Sequence, residues 1–324
     1  MAVTKIADVI QPELFAQYVI DKTTEKSEIM NAGVVENNPE LNRLITGGGT
    51  ILTMPKWNDL GGKSQVLDDT NPIAISNITS KSELATLLIR ANGWGAHELA
   101  GALAGDDPMK AIAERVADWW VRDEKSNIMS ILNGVFASAS MAGLVKDVSA
   151  LTGDNAKISA NTVLDAKQLM GDASDLLTMI YMHSATFTEL QKQNVIQFIP
   201  VAESKIQIPT YLGYRVVCDD SAPVDTSGAT PKYTTYLLAR GAIQRGIGTP
   251  ATLTSVETDR ISDMSTDVLY NRQAKVLHPK GISWVGGANI AGPTPSDAEL
   301  ATGTNWNRVA DIKKIGMVKL VHTL

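Results

Sequence analysis

The 324-residue sequence predicts an α+β fold. Three observations carry that expectation. A long amphipathic helix spans Pro108 to Ala137, Thr-, Ile- and Val-rich extended text lies on both sides of it, and short helices and strands alternate between Asn161 and Ile247. With 44% hydrophobic and 20% charged residues the chain has material for a core, which excludes a mostly disordered, collagen-like or all-coiled-coil protein. Its length corresponds to about two domains, or to one domain with a large insertion.

Thr4 to Ile29 reads as an amphipathic arm: Ile6, Val9 and Ile10 lie at helical spacing, Pro12 interrupts, and Leu14, Phe15, Tyr18 and Val19 resume the pattern. Gly47, Gly48 and Gly49 then stand between two apolar pairs and give a flexible lead into strand-like text that runs through Trp57. Thr50 to Arg90 reads as a long two-stranded ribbon with its tip at Gly61-Gly62-Lys63-Ser64, an element that is marginal alone and needs a neighbour. The long helix follows, capped by Asp106 or Asp107, with Pro108 in its first turn; at 1.5 Å per residue it would be roughly 45 Å long. Gly134 and the small residues to Gly143 are expected to end it. A helix over Asn161 to Met170, a buried strand over Leu176 to Met182 and a helix capped by Ser184 come next. Strands are expected over Val195 to Val201, Ile206 to Leu212, Tyr214 to Cys218 and Tyr233 to Ile247, then extended text over Ala251 to Trp284. A capped helix over Ser296 to Ala301 and a last strand over Ile312 to Leu324 complete the reading.

Motifs that would signal chemistry fail in their context. Gly62-Lys63-Ser64 ends like a phosphate-binding loop, but Trp57 stands where that loop requires glycine and no helix follows. Gly246-Ile247-Gly248 has dinucleotide-loop spacing, yet Thr-rich extended text follows Pro250. His97-Glu98 opens like a zinc-protease helix with Gly101 in the place of the second histidine. His97, His183, His278 and His322 are scattered, Asp219-Asp220 reads as a turn, and Cys218 can form no disulfide within the chain. No catalytic residue, metal site or cofactor is expected. The net charge of −6 argues against tight phosphate binding, the first fifteen residues lack the apolar run of a secretion signal, and no membrane span is expected.

The order of these elements, together with Tyr181-Met182-His183-Ser184, Ile208-Pro209-Thr210-Tyr211-Leu212-Gly213-Tyr214, the run from Tyr233 to Ala242 and His278-Pro279-Lys280-Gly281-Ile282-Ser283-Trp284, resembles tailed-phage major capsid proteins of the Hong Kong 97-type fold. The resemblance covers nearly the whole chain. It implies residues 1–45 as arm and start of a peripheral domain, 46–90 as extended loop, 91–137 as peripheral domain with the spine helix, and 138–250 as axial domain. Residues 251–285 would return through the periphery, and 286–324 would rejoin the axial domain. It implies a non-enzymatic shell subunit that assembles with itself, as hexamers and pentamers, into an icosahedral head enclosing double-stranded DNA without reading its sequence. A separate scaffolding protein, a portal and a decoration protein are the implied partners, with assembly in the host cytoplasm. Gly47, Gly48, Gly49, Trp57, Gly61, Gly62, Lys63, Trp119 and Trp120 are the expected intersubunit contacts. Two alternatives stay open: a cellular nanocompartment shell, and a nucleotide-binding enzyme using the Gly246 loop with a carboxylate such as Asp219.

Overall fold

The computed structural model describes residues 32–47, 49–65, 73, 75–99, 108–193, 195–200, 207–228, 230–250 and 253–324. The arm over Thr4 to Ile29 and the capping aspartates Asp106 and Asp107 lie outside these residues.

The described chain opens with strand β1 (Val35–Asn37) and helix α1 (Pro39–Thr46). Asn38 caps the helix by accepting from the Glu40 N–H, and Pro39 supplies a preset φ at its first position. Strands β2 (Ile51–Trp57) and β3 (Ser80–Thr86) pair antiparallel along their full lengths as the expected ribbon. The ribbon ends at Thr86. Ile89 and Arg90 belong to a further strand, β4 (Leu88–His97), which turns away to pair with another sheet.

Helix α2 runs Pro108–Ala137, as the periodicity predicts. Gly134 does not terminate it. A Cβ there would collide with the Leu300 carbonyl and the Trp306 indole, so this glycine lets the helix and a C-terminal turn approach closely. The chain continues through β5 (Val145–Asp147), α3 (Ala160–Gln168), β6 (Leu177–Met182), α4 (Ser184–Lys192), β7 (Gln197–Pro200), β8 (Gln207–Tyr211), β9 (Tyr214–Cys218) and β10 (Val224–Asp225). The cap of α4 is His183 rather than Ser184: its Nδ1 accepts from the Ala185 N–H. Then follow β11 (Lys232–Ala239), β12 (Ile243–Gly248), β13 (Val256–Ile261), β14 (Thr266–Pro279), β15 (Ile282–Trp284), α5 (Asp297–Leu300), β16 (Trp306–Arg308) and β17 (Met317–His322). Ser296 and Glu299 form a reciprocal capping box on α5.

These strands make two main sheets. The five-stranded sheet is organised on β14, with β4 along one edge and β12 and then β13 along the other; β1 adds parallel to β12. The eight-stranded sheet has the order β5-β17-β11-β6-β9-β8-β7, with β10 also on β11. The chain crosses between sheets at Gly241, where φ is +64°, so β12 lies apart from the eight-stranded sheet although it falls inside the 138–250 stretch read as one unit. Helix α2 joins the two sheets. Its first half packs Val116 and Trp120 against Val256 and Leu269 of the five-stranded sheet, and its second half packs Ile128, Ile131, Leu132 and Val135 into the main core around Ile180, Tyr236 and Leu320.

Candidate assembly surface

The ribbon is anchored at its root, and beyond the root an ion pair between Lys314 Nζ and Asp59 Oδ2 at 3.6 Å reaches it from the C-terminal segment. At the root, Leu52 and Ala85 are buried with Leu41, Ile45 and Val276, and the Leu84 N–H donates to Ser283 Oγ at 3.1 Å. Glu83 is buried there and accepts from Lys56 Nζ at 2.9 Å and from the Gly281 N–H at 3.3 Å, with His278 Nε2 also at 3.3 Å. Burial alone would push the Glu83 carboxyl up; the hydrogen bonds from His278 and Lys56 reverse this and hold it at about 2. Beyond the root the apolar residues face solvent: Trp57 is 70% exposed, Leu60 77% and Ile75 97%. Several large apolar side chains on one projecting element are surface that a lone subunit leaves wet.

Gly47 is the C-terminal cap of α1, and Gly49 has φ of +102° with open space around it, which only glycine adopts without strain. Gly48 lies outside the described residues. Gly61, Gly62 and Lys63 are exposed at the far end, with Gly62 at φ of +113°. Trp119 is half-buried and meets Trp94 edge-on at 5.4 Å and Trp120 at 4.7 Å. Trp120 is sealed inside the subunit, with Lys275 Nζ 5.7 Å from its ring, so it cannot touch another copy and leaves the set of expected contacts.

The middle of α2 holds a feature that periodicity does not reveal. Asp123, Glu124 and Lys125 project about 100° apart on the helix and each meets a different strand or strand end. Asp123 Oδ2 accepts from Lys275 of β14 at 2.7 Å, and Glu124 takes both Arg245 Nε (2.6 Å) and Nη2 (3.0 Å) from β12. Lys125 pairs with Asp219, just beyond β9 in the other sheet. The first two partners tie the helix to the five-stranded sheet; the third ties it to the eight-stranded one. The carboxyl of Asp219 is raised by burial, but Lys125 and the hydroxyl and N–H of Ser221 outweigh this and bring it below the usual carboxylate range.

The loops weighed for chemistry have structural employment. Gly246 and Gly248 lie in β12 beneath α1, where a Cβ on Gly246 would sit 2.6 Å from the Leu41 Cβ, so these glycines admit a helix and not a phosphate. Asp219 and Asp220 shape a turn and meet Ser221 and Ser184, and Cys218 is half-buried. His322 is buried, and since its Nδ1 faces the Thr323 carbonyl at 2.9 Å, that nitrogen carries the proton and Nε2 accepts from Thr235 Oγ1 at 2.9 Å. Burial pushes its pKa down to about 4. Among the described residues no acidic, histidine or cysteine cluster could hold a metal, and no helix is long and apolar enough to cross a membrane.

A two-stranded ribbon with an exposed apolar end, one long helix spanning two sheets and the order of the strands around it define a protein of the Hong Kong 97-type fold. Solved phage capsids share this fold: the capsid protein of Ralstonia phage GP4 superposes with a TM-score of 0.61 at 10% identity, covering 90% of this chain and 87% of that one. The capsid protein of cyanophage Pam1 gives 0.57 at 11% identity over 93% and 92%. A family model, described as major capsid protein 13-like, matches residues 107–317, and the major capsid protein of Bacillus phage SPP1 is 45% identical over 100% of this chain and 99% of its own length. The chain belongs to this Gp13-like family of phage major capsid proteins. It is a self-assembling structural subunit of a phage capsid, which sets aside the nanocompartment and enzyme readings.

Proposed function

We propose that the ribbon is the element through which neighbouring subunits join, and that the subunits assemble as hexamers and pentamers into a closed icosahedral head around double-stranded DNA. The observation that carries this is the contrast along one hairpin: a root locked by Glu83, Ser283 and Leu52, and an end that leaves Trp57, Leu60 and Ile75 in water. Such area becomes buried only in the oligomer, and many modest repeated contacts allow misplaced subunits to leave before the shell closes. Gly47, Gly48, Gly49, Trp57, Gly61, Gly62 and Lys63 are the contacts assigned to the ribbon and its lead, and Trp119 the one assigned to the helix face. Residues 91–137 with the five-stranded sheet form the peripheral domain in this reading, and the eight-stranded sheet forms the axial one. A separate scaffolding protein, a portal and a decoration protein complete the head, which is built in the host cytoplasm. The acidic balance suits an inner wall that must not grip the packaged phosphates.

The test removes only residues 58–79 and closes the hairpin with an Asn-Gly turn, because Leu52, Glu83 and Ala85 belong to the subunit's own core. The expected product is a folded subunit, with wild-type circular dichroism, that yields no closed shells by electron microscopy. Normal particles would overturn the assignment.

A further inference from the structure

Asn-Gly occurs twice in the chain, at Asn92-Gly93 and at Asn133-Gly134, and the fold treats the two pairs differently. Asparagine is a thermolabile residue because the backbone nitrogen of the next residue can attack its amide carbon, and a following glycine puts no Cβ in the way. The first pair lies in β4, an edge strand that pairs with β14 along one side and, among the described residues, with no strand along the other. Gly93 is exposed and Asn92 partly buried. The Gly93 N–H donates to Asn92 Oδ1 at 2.9 Å, so the side-chain amide lies against the nitrogen that would attack it. Packing keeps glycine at this position: a Cβ on Gly93 would stand 2.9 Å from the ring of Tyr270, its partner on β14. Close contact between two strands thus leaves an asparagine beside an unhindered nitrogen, at an edge that opens to water more readily than the middle of a sheet.

The second pair is locked in place. Asn133-Gly134 lies inside α2, whose hydrogen-bond ladder engages the Gly134 N–H. Asn133 Oδ1 accepts from Tyr236 Oη at 3.0 Å, and Gly134 is buried against the Leu300 carbonyl and the Trp306 indole. For this pair to react, the end of the helix would have to leave a close-packed core.

We propose that Asn92-Gly93 is a site of spontaneous deamidation in the unassembled subunit and that the fold protects Asn133-Gly134 from the same reaction. The Gly93 nitrogen loses its proton to a solvent base and bonds Asn92 Cγ; the Cγ–Nδ2 bond breaks, and Nδ2 takes up a proton from water and leaves as ammonia. Water then adds to one carbonyl of the cyclic imide and opens it to aspartate or isoaspartate, with nothing oxidised or reduced. An aspartate keeps an oxygen where the Gly93 N–H donates now. An isoaspartate brings its Cβ into the main chain, which lengthens β4 at residue 92 and displaces its pairing with Asn271 and Tyr270. Either product adds a negative charge to the free edge of the sheet.

The test is peptide mapping by mass spectrometry on the full-length unassembled chain, incubated both folded and in urea, at neutral and at mildly alkaline pH. In the folded chain the peptide holding Asn92 is expected to gain about 1 Da, faster at the higher pH, while the peptide holding Asn133 reacts at least about tenfold more slowly. In urea the helix and the edge strand are both gone, and the two pairs should react at rates within about twofold of each other. Asn92→Ser should abolish the gain in its peptide and leave the slow reaction at Asn133 unchanged. A folded chain that stays unmodified at Asn92, or that reacts equally fast at Asn133, would overturn the proposal.

Discussion

Arg245 and Glu124 make the sharpest test of how α2 is fixed. Their side chains are 2% and 5% exposed and they meet through two hydrogen bonds, at 2.6 and 3.0 Å. At an effective dielectric of about 20, unit charges some 4 Å apart attract by roughly 4 kcal/mol, and desolvating both groups takes back a comparable amount. The pair as a whole is therefore close to neutral, whereas half of it is not. Arg245→Met leaves the Glu124 carboxylate buried without its partner and should cost about 3–5 kcal/mol. Glu124→Leu with Arg245→Met should recover most of that loss, because two apolar side chains can fill the same space. Urea unfolding of the purified subunit, followed by tryptophan fluorescence, reads both variants. A loss under about 1 kcal/mol for the single variant, or a double variant as unstable as the single, would refute the claim that the pair is sealed from water.

Two titrations follow from buried groups. His322 is held near 4 against about 6.5 in the unfolded chain, so its contribution is complete above pH 6.5 and disappears as the pH falls towards 4, about 3 kcal/mol in all; His322→Gln should flatten stability across that window. Glu83 is held at about 2 against 4.5, so its contribution is present above pH 4.5 and is lost as the pH falls towards 2; Glu83→Gln should flatten that lower window, read by thermal melts at stepped pH. The adjacent indoles should differ: Trp120→Ala should cost about 3–5 kcal/mol, and Trp119→Ala distinctly less because that ring is only partly buried, with equal losses contradicting the burial described.

The parts legible in the sequence are those with local signals. Helix α2 is readable to both ends because its apolar positions recur over 30 residues, and the ribbon because glycines stand on both sides of its first strand and Ile- and Thr-rich text follows. Helix α1 carries a local signal too, since Asn38-Pro39-Glu40 is a cap, a first-turn proline and a first-turn acid, but it is only eight residues long and the three glycines that follow favour an extended lead over a helix. Strand β4 merged with the ribbon since Thr86 to Leu88 carries no turn residue, and only pairing with β14 shows that the chain has changed partner. Of the expected contacts, the ribbon residues lie where exposure permits the role. Trp120 differs from Trp119 only by one helical step, 100° of rotation, which an adjacent pair of identical letters cannot express.

The same 100° step explains why the joint between the sheets was invisible. Asp123-Glu124-Lys125 reads as a solvated charge run, and on most helices it would be one. Here α2 is covered on several sides, so three consecutive side chains meet three separate partners, and the strands that provide them lie 94 to 152 positions away in the chain. No spacing rule within a helix can report contacts at that separation. The consequence is mechanical. Because Lys125 reaches the eight-stranded sheet while Asp123 and Glu124 hold the five-stranded one, a change in the angle between the sheets must either bend α2 near this triplet or break one of its pairs. The Lys125–Asp219 side of the joint is the cheaper one to open, since Lys125 is about a third exposed and regains water when it leaves, whereas Arg245 and Glu124 would have to part with both partners inside the protein.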